Sequence, residues 1–232
     1  MKNAFFISKN NSWSNNLFSQ IKSVPQTSWI RIDEENWKDF LKFSQNKYIK
    51  DKNDFLFFFH WSLMIPSEIY EHYNCVSFHT SNLPEGKGGS PIQNQILEGT
   101  IQTHLNALKT SKIIDGGEIF CREPLSLQGN LRDIWNTISN LAFKMISNII
   151  ENDIKPVPQK SSNSKIFKRL KNNKIDFEKS KSINEIYDKV RMLDADGYEN
   201  ANIKIGNFRL DFSRAKLENG EVLVDARIKY EG

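Results

Sequence analysis

Cysteine and histidine are scarce in this chain of 232 residues, which has two of the first and four of the second. Cys75 and Cys121 lie within apolar, strand-like runs, so we interpret them as buried thiols in a reducing compartment and not as a disulfide framework. The four histidines do not follow a metal-ligand spacing, and there is no Cys/His cluster. The sequence therefore predicts no metal centre.

Long apolar runs and phosphate-binding fingerprints are also missing. No run approaches the roughly 20 residues that cross a bilayer, and the apolar start Ala4–Ile7 is too short for a signal peptide. We therefore expect a cytoplasmic protein with no membrane partner. No Gly-x-Gly-x-x-Gly follows the first strand, which argues against a dinucleotide site. The net charge of +4 is mild, and it suggests affinity for anionic ligands without requiring nucleic acid.

Strand and helix patterns alternate along the first two thirds of the chain. Apolar runs at 4–8, 29–32, 54–62 and 75–79 are typical of strands, and helical patterns lie between them. A long amphipathic helix is predicted at 130–150. The pattern predicts an α/β fold, with a Rossmann-like, mostly parallel sheet and helices on both faces.

The last third of the chain has a different composition. Residues 155–181 are polar and basic, and we predict an extended surface connection. A solvated basic loop is the favoured reading of its charges, with contact to a phosphate-bearing substrate or RNA as the alternative. A helix at 182–194 begins with a capping box. Two antiparallel strands then meet at Asn219-Gly220, a strong hairpin signal.

His79 and Asp115 are the candidate catalytic residues. Each follows an apolar, strand-like segment and precedes turn residues. Because ligands bind at the carboxyl ends of strands in open α/β sheets, we expect the two side chains to meet there. A histidine gains and loses a proton near neutral pH, and a carboxylate can orient it.

The signature between these residues resembles a known family. The segment HTSNLPEGKGGSPIQNQILEG, then Thr103, then IIDGGEI, is similar to the signature of the 10-formyltetrahydrofolate-dependent formyltransferases. The matching positions are His79, Ser81, Leu83, Pro84, Lys87, Gly88, Pro91, Ile92, Gln93, Thr103, Asp115 and Gly117. The resemblance implies the formyltransferase fold and 10-formyltetrahydrofolate as formyl donor.

In such an enzyme an amine attacks the formyl carbon, and the site must stabilise negative charge on oxygen and manage a proton. The resemblance gives both roles to His79, with Asp115 orienting it and relaying a proton through water. The family usually has Asn two residues before this His, and here that position is Ser77. Ser77 itself, a nearby amide such as Asn106 or Asn82, or His79 with water could hold the oxygen.

The resemblance also implies two sets of binding residues. The pterin slot of the donor would be lined by Trp61, Leu63, Ile65, Ile113, Ile114, Gly116 and Gly117. The acceptor would contact Ser81, Asn82, Lys87, Gly88, Gly89 and Ser90. The glycine-rich turn at 86–90 could cradle an anion ahead of the helix that Pro91 opens, although a turn without a ligand is the favoured reading of the turn alone. His60 and His104 lack motif support and are interpreted as structural.

By this resemblance, residues 1–154 form an N-terminal formyltransferase catalytic domain, residues 155–181 a basic linker, and residues 182–232 a small C-terminal region of one helix and a β-hairpin. The run RMLDADGYENANIKI resembles the sugar N-formyltransferases, and the chain is shorter than a bacterial methionyl-tRNA formyltransferase. We therefore expect the acceptor to be an amino sugar, nucleotide-linked, for surface glycan synthesis. Nucleic acid is disfavoured as a partner, and the strands after residue 200 could form a homodimer edge.

Two alternatives stay open. One is methionyl-tRNA formylation, which a steep salt dependence of substrate binding would favour. The other is a non-catalytic homologue that binds folate or a nucleotide sugar, which the substitution at Ser77 favours. An RNA-binding protein that uses residues 155–181 is a weaker reading, because the run lacks interleaved aromatic residues.

Overall fold

A mixed α/β sheet forms the centre of the computed structural model, which describes residues 2–45, 54–160, 165–171 and 173–232. The strands are β1 (Lys2–Ser8), β2 (Thr27–Ile32), β3 (Phe55–Phe59), β4 (Asn74–Thr80), β5 (Lys87–Gly88), β6 (Gln102–Lys109), β7 (Ile119–Ser126), β8 (Ile166–Phe167), β9 (Ala201–Ile205), β10 (Phe208–Glu218) and β11 (Glu221–Tyr230). The helices are α1 (Ser12–Ile21), α2 (Trp37–Gln45), α3 (Ser67–Tyr70), α4 (Pro91–Leu97), α5 (Leu131–Glu151) and α6 (Ile183–Arg191).

The main sheet has the strand order β2-β1-β3-β4-β6-β7. The first four of these strands are parallel, whereas β6 pairs antiparallel with both β4 and β7. Along the chain, β2 is added on one side of β1 and β3 is then added on the other side of β1. This reversal opens a crevice at the carboxyl ends of β1 and β3, where ligands bind in open α/β sheets. The predicted Rossmann-like, mostly parallel sheet is confirmed.

Both faces of the sheet are covered. Phe6 and Phe57 pack against α1 and α5 on one face, while Phe5 and Phe58 pack against Trp37 of α2 on the other. Successive residues of a strand point to opposite faces, so a strand covered on both sides needs apolar residues throughout. This burial explains the uninterrupted FLFFF run of β3.

Two predicted elements show how local signals set the boundaries. The long helix predicted at 130–150 is α5, and the side chain of Asn130 caps it by accepting a hydrogen bond from the Asp133 amide. The strand predicted at 54–62 is shorter, because β3 ends at Phe59. His60 has a left-handed backbone conformation, with φ at 50°, which is incompatible with a strand.

The C-terminal region is a three-stranded antiparallel sheet packed on α6. Ile186 and Val190 of the helix contact Ala201 and Phe212 of the sheet. The predicted capping box is present in part, since the Ser182 hydroxyl accepts from the Glu185 amide at 3.2 Å. The turn Asn219-Gly220 has positive φ at both residues, 51° and 79°, as the hairpin signal predicts.

The basic connection is more ordered than the predicted surface linker. Within it, β8 pairs in parallel with β5 of the glycine-rich turn. Farther on, Arg191 reaches back and donates to the carbonyl oxygens of Leu127 and Gly129 at 2.6 and 2.8 Å. The division at residues 154 and 181 stays a prediction. None of the described helices is long and apolar enough to cross a membrane.

Candidate active site

A cavity of about 970 Å³ opens at the carboxyl edge of the main sheet. Its walls come from the ends of β1, β3 and β4, the loop between β6 and β7, and the turn after α6. Catalytic and ligand sites in α/β proteins occupy this edge. A volume of this size is at the upper end of the range for small-molecule sites, about 300–1,000 Å³.

His79 lies on the cavity wall near the end of β4, with only 6% of its surface exposed. Its Nδ1 is 3.3 Å from Oδ2 of Asp115, and its Nε2 is 2.9 Å from the carbonyl oxygen of Gly86. A carbonyl can only accept, so Nε2 carries a proton and donates it to Gly86. Nδ1 is then the nitrogen that can exchange a proton with the Asp115 side.

The Asp115 carboxylate is held by the backbone around it. Its Oδ2 also accepts from the Gly88 amide at 2.9 Å, and its own backbone has φ at 51°. The Gln159 side chain donates to the carbonyl oxygens of Asp115 and Gly117, both at 2.8 Å. Asp tolerates the left-handed conformation better than most residues. Gln159 was not predicted as a site residue, and its polar, linker-like surroundings carry no signal for this role.

The prediction that Asp115 meets His79 because both lie at the carboxyl ends of strands is wrong. Strand β6 runs antiparallel to β4 and ends with Lys109 opposite Val76, three residues before the level of His79. The connection 110–118 then carries Asp115 back to His79. A side chain at Gly117 would overlap the Lys109 carbonyl oxygen, so glycine permits this close return of the loop.

The glycine-rich turn packs against the linker and offers no anion cradle. The amides of Gly86 and Gly89 donate to the carbonyl oxygens of Lys165 and Phe167 at 3.1 and 3.0 Å, and the Gly88 amide is bonded to Asp115. A Cβ at Gly86 would lie 2.7 Å from the Phe167 ring. With their amides already bonded, these glycines serve close packing, and the favoured reading of the turn stands.

The predicted donor slot is largely assembled. Six of its seven residues line the cavity, namely Trp61, Leu63, Ile65, Ile113, Ile114 and Gly117. Gly116 does not, because it faces the Ile113 side chain within its own loop. Met64, which lies within the predicted segment from Trp61 to Ile65, joins the lining, and its apolar side chain is exposed like those of Leu63, Ile113 and Ile114. Exposed apolar side chains gathered in one cavity are typical of a ligand site.

Trp61 lines the cavity while its ring packs against the core beneath. The Trp61 indole Nε1 is buried and has no acceptor among the described residues. The ring itself is held edge-on to Trp37, with ring centroids 5.2 Å apart. A buried donor without a partner is energetically costly.

The predicted acceptor residues divide into two groups. Gly88, Gly89 and Ser90 line the cavity. Ser81, Asn82 and Lys87 do not, which corrects their assignment. Ser81 is buried beneath the turn, and Asn82 is exposed and its Oδ1 accepts from His104 Nδ1 at 2.7 Å, away from the cavity. Lys87 belongs to β5 and pairs with Ile166.

Ser77, the third predicted catalytic residue, lies on the cavity wall two residues before His79. Its Oγ is 2.7 Å from Oγ1 of Thr110, which lines the cavity as well. The Asn106 amide is directed elsewhere, since its Nδ2 donates to the carbonyl oxygens of His79 and Ser81 at 3.1 and 2.8 Å. Its oxygen accepts from Arg122 at 2.8 Å. Asn106 therefore holds the backbone around His79.

A second cluster centres on His60. Asn11 donates to His60 Nδ1 at 3.0 Å, and His60 Nε2 is 3.2 Å from the Tyr198 hydroxyl, which also accepts from Trp135 Nε1 at 3.2 Å. Burial, with a smaller effect of Lys9, lowers the pKa of His60 to about 3. His60 is thus neutral, with both nitrogens bonded, in line with its structural interpretation.

The same cluster forms part of the cavity wall and joins it to the C-terminal region. His60, Trp135 and Tyr198 all line the cavity, and burial raises the pKa of Tyr198 to about 12. Tyr198 was not predicted as a site residue. Its position in a DADGYEN turn far from the signature gave no reason to place it at the cavity.

The two cysteines take no part in this site. Burial raises the pKa of the Cys75 thiol, and it raises the pKa of Cys121 to about 12. Because the thiolate is the reactive form, both groups are inert near neutral pH. Cys75 is buried, as predicted, whereas Cys121 is only partly buried.

Known proteins resemble this chain over both of its parts. The family model described as "Methionyl-tRNA formyltransferase, C-terminal domain" matches residues 171–229. A methionyl-tRNA formyltransferase of Anaplasma phagocytophilum is 28% identical over 167 residues, covering 63% of this chain and 56% of that protein. The chain spans about half the length of the curated relatives it matches.

Solved structures extend the likeness to the whole chain. The methionyl-tRNA formyltransferase from Clostridium thermocellum is 34% identical with a TM-score of 0.89, covering 99% of this chain and 100% of that one. A 4-N formyltransferase from Francisella tularensis is 17% identical with a TM-score of 0.66, covering 97% and 96% of the two chains. This second likeness concerns the fold alone.

These relatives correct the expected acceptor. An amino sugar is wrong as the primary expectation, because the curated relatives and the 34%-identical structure are methionyl-tRNA formyltransferases. The expectation that nucleic acid is disfavoured as a partner loses its support for the same reason. The expected formyl donor is confirmed for the family, which uses 10-formyltetrahydrofolate. With the signature residues, the fold and a full-length match at 34% identity, the chain belongs to the 10-formyltetrahydrofolate-dependent formyltransferase family.

Proposed function

We propose that this chain transfers the formyl group of 10-formyltetrahydrofolate to the amino group of a methionyl-tRNA. The observation that carries the proposal is the His79–Asp115 pair, 3.3 Å apart on the wall of the cavity. The acceptor is inferred from the relatives that carry this activity in their names.

The reaction exchanges one acyl bond for another. The donor supplies an activated formyl group; as the amine nitrogen bonds to the formyl carbon, the bond from that carbon to N10 breaks. The amine loses one proton and N10 gains one, so the reaction needs no oxidant or reductant. The protein must therefore orient the two partners, stabilise charge on the formyl oxygen and move a proton.

His79 and Asp115 have the chemistry for the proton. Nδ1 of His79 can accept a proton on the side of Asp115, while its Nε2 stays bonded to Gly86. The carboxylate stabilises the imidazolium that results, because opposite charges at this distance attract strongly in a buried site. Gly88 and Gln159 keep the carboxylate and its loop in place, so little reorganisation is needed during the reaction.

The donor would bind against the apolar wall. Leu63, Ile65, Ile113 and Ile114 provide apolar contacts for its ring, and Trp61 lines the same cavity. Closing such a site over the ring also excludes water, which strengthens the electrostatic interactions around His79.

A basic segment beside the cavity supports an RNA acceptor. Arg169 lines the cavity, and Lys168 and Lys171 lie next to it along the chain after β8. In the part of the chain that the structure describes, none of the three forms an ion pair, so their charges are available to phosphates. A tRNA acceptor stem that brings its 3′ end to the cavity would pass this segment.

The acceptor is tested by measuring formyl transfer to methionyl-tRNA, free methionine and a panel of nucleotide-linked amino sugars. We expect formylation of methionyl-tRNA at a kcat/KM far above that of the other acceptors. The apparent affinity for tRNA should fall steeply with salt, because bound cations leave the phosphates on binding. Preferential formylation of a sugar, or transfer to tRNA without salt dependence, would contradict the proposal.

A triple substitution tests the basic segment. Replacing Lys168, Arg169 and Lys171 by Ala should weaken tRNA binding and flatten the plot of log affinity against log salt by about one unit for each lost phosphate contact. Donor binding should not change. An unaltered salt dependence would remove the segment from the RNA interface.

Matched control charges are available on other surfaces. Lys144 on α5, Lys216 on β10 and Arg227 on β11 are exposed and do not line the cavity. The corresponding triple Ala variant has the same net charge as the test variant. It should keep most of the salt dependence.

The non-catalytic homologue makes a distinct prediction. It would bind the formyl donor without releasing the formyl group to any acceptor. The His79–Asp115 pair favours catalysis over this alternative, since a histidine next to a carboxylate on a cavity wall is the arrangement that acid–base catalysis uses.

A further inference from the structure

We propose that the hydroxyl groups of Ser77 and Thr110 act as one unit that donates a hydrogen bond to the formyl oxygen. This inference rests on the proposed formyl transfer. It assigns a catalytic role to Thr110, which lies outside the family signature, and it answers how this chain works without the Asn that the family has at position 77.

The two hydroxyls are held together at the reaction site. Their oxygens are 2.7 Å apart, and both line the cavity. Ser77 is on the same face of β4 as His79, because side chains two residues apart in a strand point the same way. The Thr110 amide donates to the Cys75 carbonyl oxygen at 2.8 Å, which fixes Thr110 beside β4 just beyond the end of β6.

Once the two hydroxyls are hydrogen-bonded to each other, one O–H of the pair is left to donate to the substrate. Each hydroxyl has a single O–H donor and two acceptor lone pairs. One O–H is used within the pair, so the other is free to donate toward the cavity. A hydroxyl that also accepts a hydrogen bond is a better donor, because bonds in a chain polarise one another. The pair can thus offer a strengthened donor where the family offers an amide N–H.

The other candidates for this role are already engaged. The Asn106 amide is fully buried and spans the carbonyl oxygens of His79 and Ser81. Asn82 is exposed, bonded to His104 and absent from the cavity lining. Neither amide can turn toward the cavity without breaking these bonds. On the face of β4 that carries His79, the hydroxyl pair is therefore a neutral donor that lines the cavity.

Four variants isolate the pair. Ser77→Ala and Thr110→Val each remove one hydroxyl with little change of volume, Thr110→Ser keeps the hydroxyl, and Ser77→Ala/Thr110→Val removes both. Loss of an oxyanion donor typically lowers kcat about 10²–10³-fold. We expect this loss in both single variants, little loss in Thr110→Ser, and a double variant no worse than the poorer single one, as residues that act as a unit behave.

A spectroscopic readout separates catalysis from structure. Full-length protein is mixed with 10-formyltetrahydrofolate that is isotopically labelled at the formyl carbon, and the formyl C=O stretch is recorded by difference infrared spectroscopy without an acceptor. Donation to the oxygen weakens this bond, so the stretch should move to higher frequency in Ser77→Ala and Thr110→Val. The donor Kd and the melting temperature should stay close to those of the wild type.

The outcomes distinguish this proposal from the proposed function. An unshifted C=O stretch in both single variants would overturn the hydroxyl pair even if the wild type formylates methionyl-tRNA. A shifted stretch would support the pair even if the acceptor proves to be another amine. Additive losses of kcat in the double variant would also count against a single unit. A wild type that does not bind the donor would overturn both proposals.

Discussion

At the scale of single residues, the hydrogen-bond partners of the His79 imidazole determine which of its ring nitrogens carries the proton. Its two ring nitrogens have different partners, a carbonyl that only accepts and a carboxylate that can share a proton. This arrangement sets the tautomer before any substrate binds. In the proposed mechanism Asp115 and Gly86 therefore act through the imidazole of His79.

Removing either member of the pair should stop turnover and spare the fold. We expect His79→Asn and Asp115→Asn to lower kcat at least about a hundredfold, because each removes a group that moves or stabilises the proton. Donor binding, measured by titration, should change little. His104→Asn is a matched control, since His104 is outside the cavity lining and should leave kcat near the wild-type value. Near-full activity of either test variant would remove that residue from the mechanism.

His60 predicts a dependence of stability on pH. Its pKa is lowered to about 3 in the folded chain, against 6.5 as its ordinary value. As the pH falls below 6.5, the unfolded chain takes up a proton that the folded chain does not. The free energy of unfolding therefore falls with decreasing pH between these values, by up to about 1.4 kcal/mol per pH unit from this group.

Urea unfolding at pH values about one unit apart, from about pH 4 to about pH 7, measures how the free energy of unfolding changes with pH. His60→Asn should flatten the pH dependence by about one proton, because Asn keeps an acceptor for Asn11 but does not titrate. The exposed His72→Asn should not flatten it. Equal slopes for the wild type and His60→Asn would show that His60 is not held neutral.

Site residues within the signature could be predicted from the sequence, whereas the residues that hold them in position could not. His79, Asp115 and Ser77 were identified because the signature has a fixed order and spacing, and all three line the cavity. Gln159 lies in a polar connection without a motif, and Thr110 lies in the predicted strand run THLNALKTSK but outside the matching signature positions. Their positions depend on how the connections fold back onto the sheet, which local sequence does not encode.

At the scale of elements, the glycine-rich turn and the basic connection form one unit. Strands β5 and β8 pair, and the turn has no room for side chains at Gly86 and Gly88. Because the Gly88 amide also holds the Asp115 carboxylate, packing of the connection on the turn supports the catalytic pair. A segment predicted to be an extended surface connection therefore contributes to the geometry of the site.

Two glycine substitutions test this packing. At Gly88 φ is +104°, and an added Cβ would overlap the Phe167 carbonyl oxygen, whereas Gly99 has φ of +76° and open space around it. Gly99→Ala should lower the free energy of unfolding by about 1 kcal/mol from backbone strain alone. Gly88→Ala adds the overlap and should cost about 3 kcal/mol. Equal losses of unfolding free energy in the two variants, measured by thermal or urea unfolding, would show that contact with β8 does not disfavour a side chain at Gly88.

Elements with a strong local signal were predicted well. Helix α5 has a long apolar stripe, and the Asn219-Gly220 turn has the residues that positive φ requires. The order within 155–181 escaped prediction because β8 is two residues long and is stabilised by β5, about 80 residues away in sequence. Such pairing is decided by tertiary contacts.

At the scale of the whole molecule, the C-terminal region is attached to the catalytic core by specific polar contacts. Arg191 at the end of α6 is buried, and its guanidinium bonds Asp188 and the carbonyl oxygens of Leu127 and Gly129. Tyr198 adds a contact to the wall of the cavity itself. The region thus completes the site as well as covering the core.

Comparing two arginines measures the strength of this attachment. Arg191→Met would leave two carbonyl oxygens and Asp188 without their donor, and should lower the free energy of unfolding by about 3 kcal/mol. Arg132 forms an exposed ion pair with Asp196, so Arg132→Met should cost no more than about 1 kcal/mol. We expect a single cooperative transition in the wild type. A small effect of Arg191→Met would show that the contacts are dispensable.

The fold and the formyl chemistry could be predicted, and the acceptor could not. The strand pattern and the signature are local, and together they specify the sheet and the residues around the formyl group. In the proposed function the acceptor is chosen by surfaces beyond the signature, such as the segment near Arg169, whose place at the cavity follows only from the tertiary structure. An inference from chain length and one C-terminal run therefore led to the wrong acceptor.

Formyl transfer in a single turnover is the most direct test of the central claim. Excess protein with bound, isotopically labelled 10-formyltetrahydrofolate is mixed with methionyl-tRNA, and the amino acid released from the tRNA is analysed by mass spectrometry. We predict labelled formylmethionine with the wild type and a rate at least about a hundredfold lower with His79→Asn. Donor that binds and is never transferred, or equal rates for the two proteins, would contradict the account.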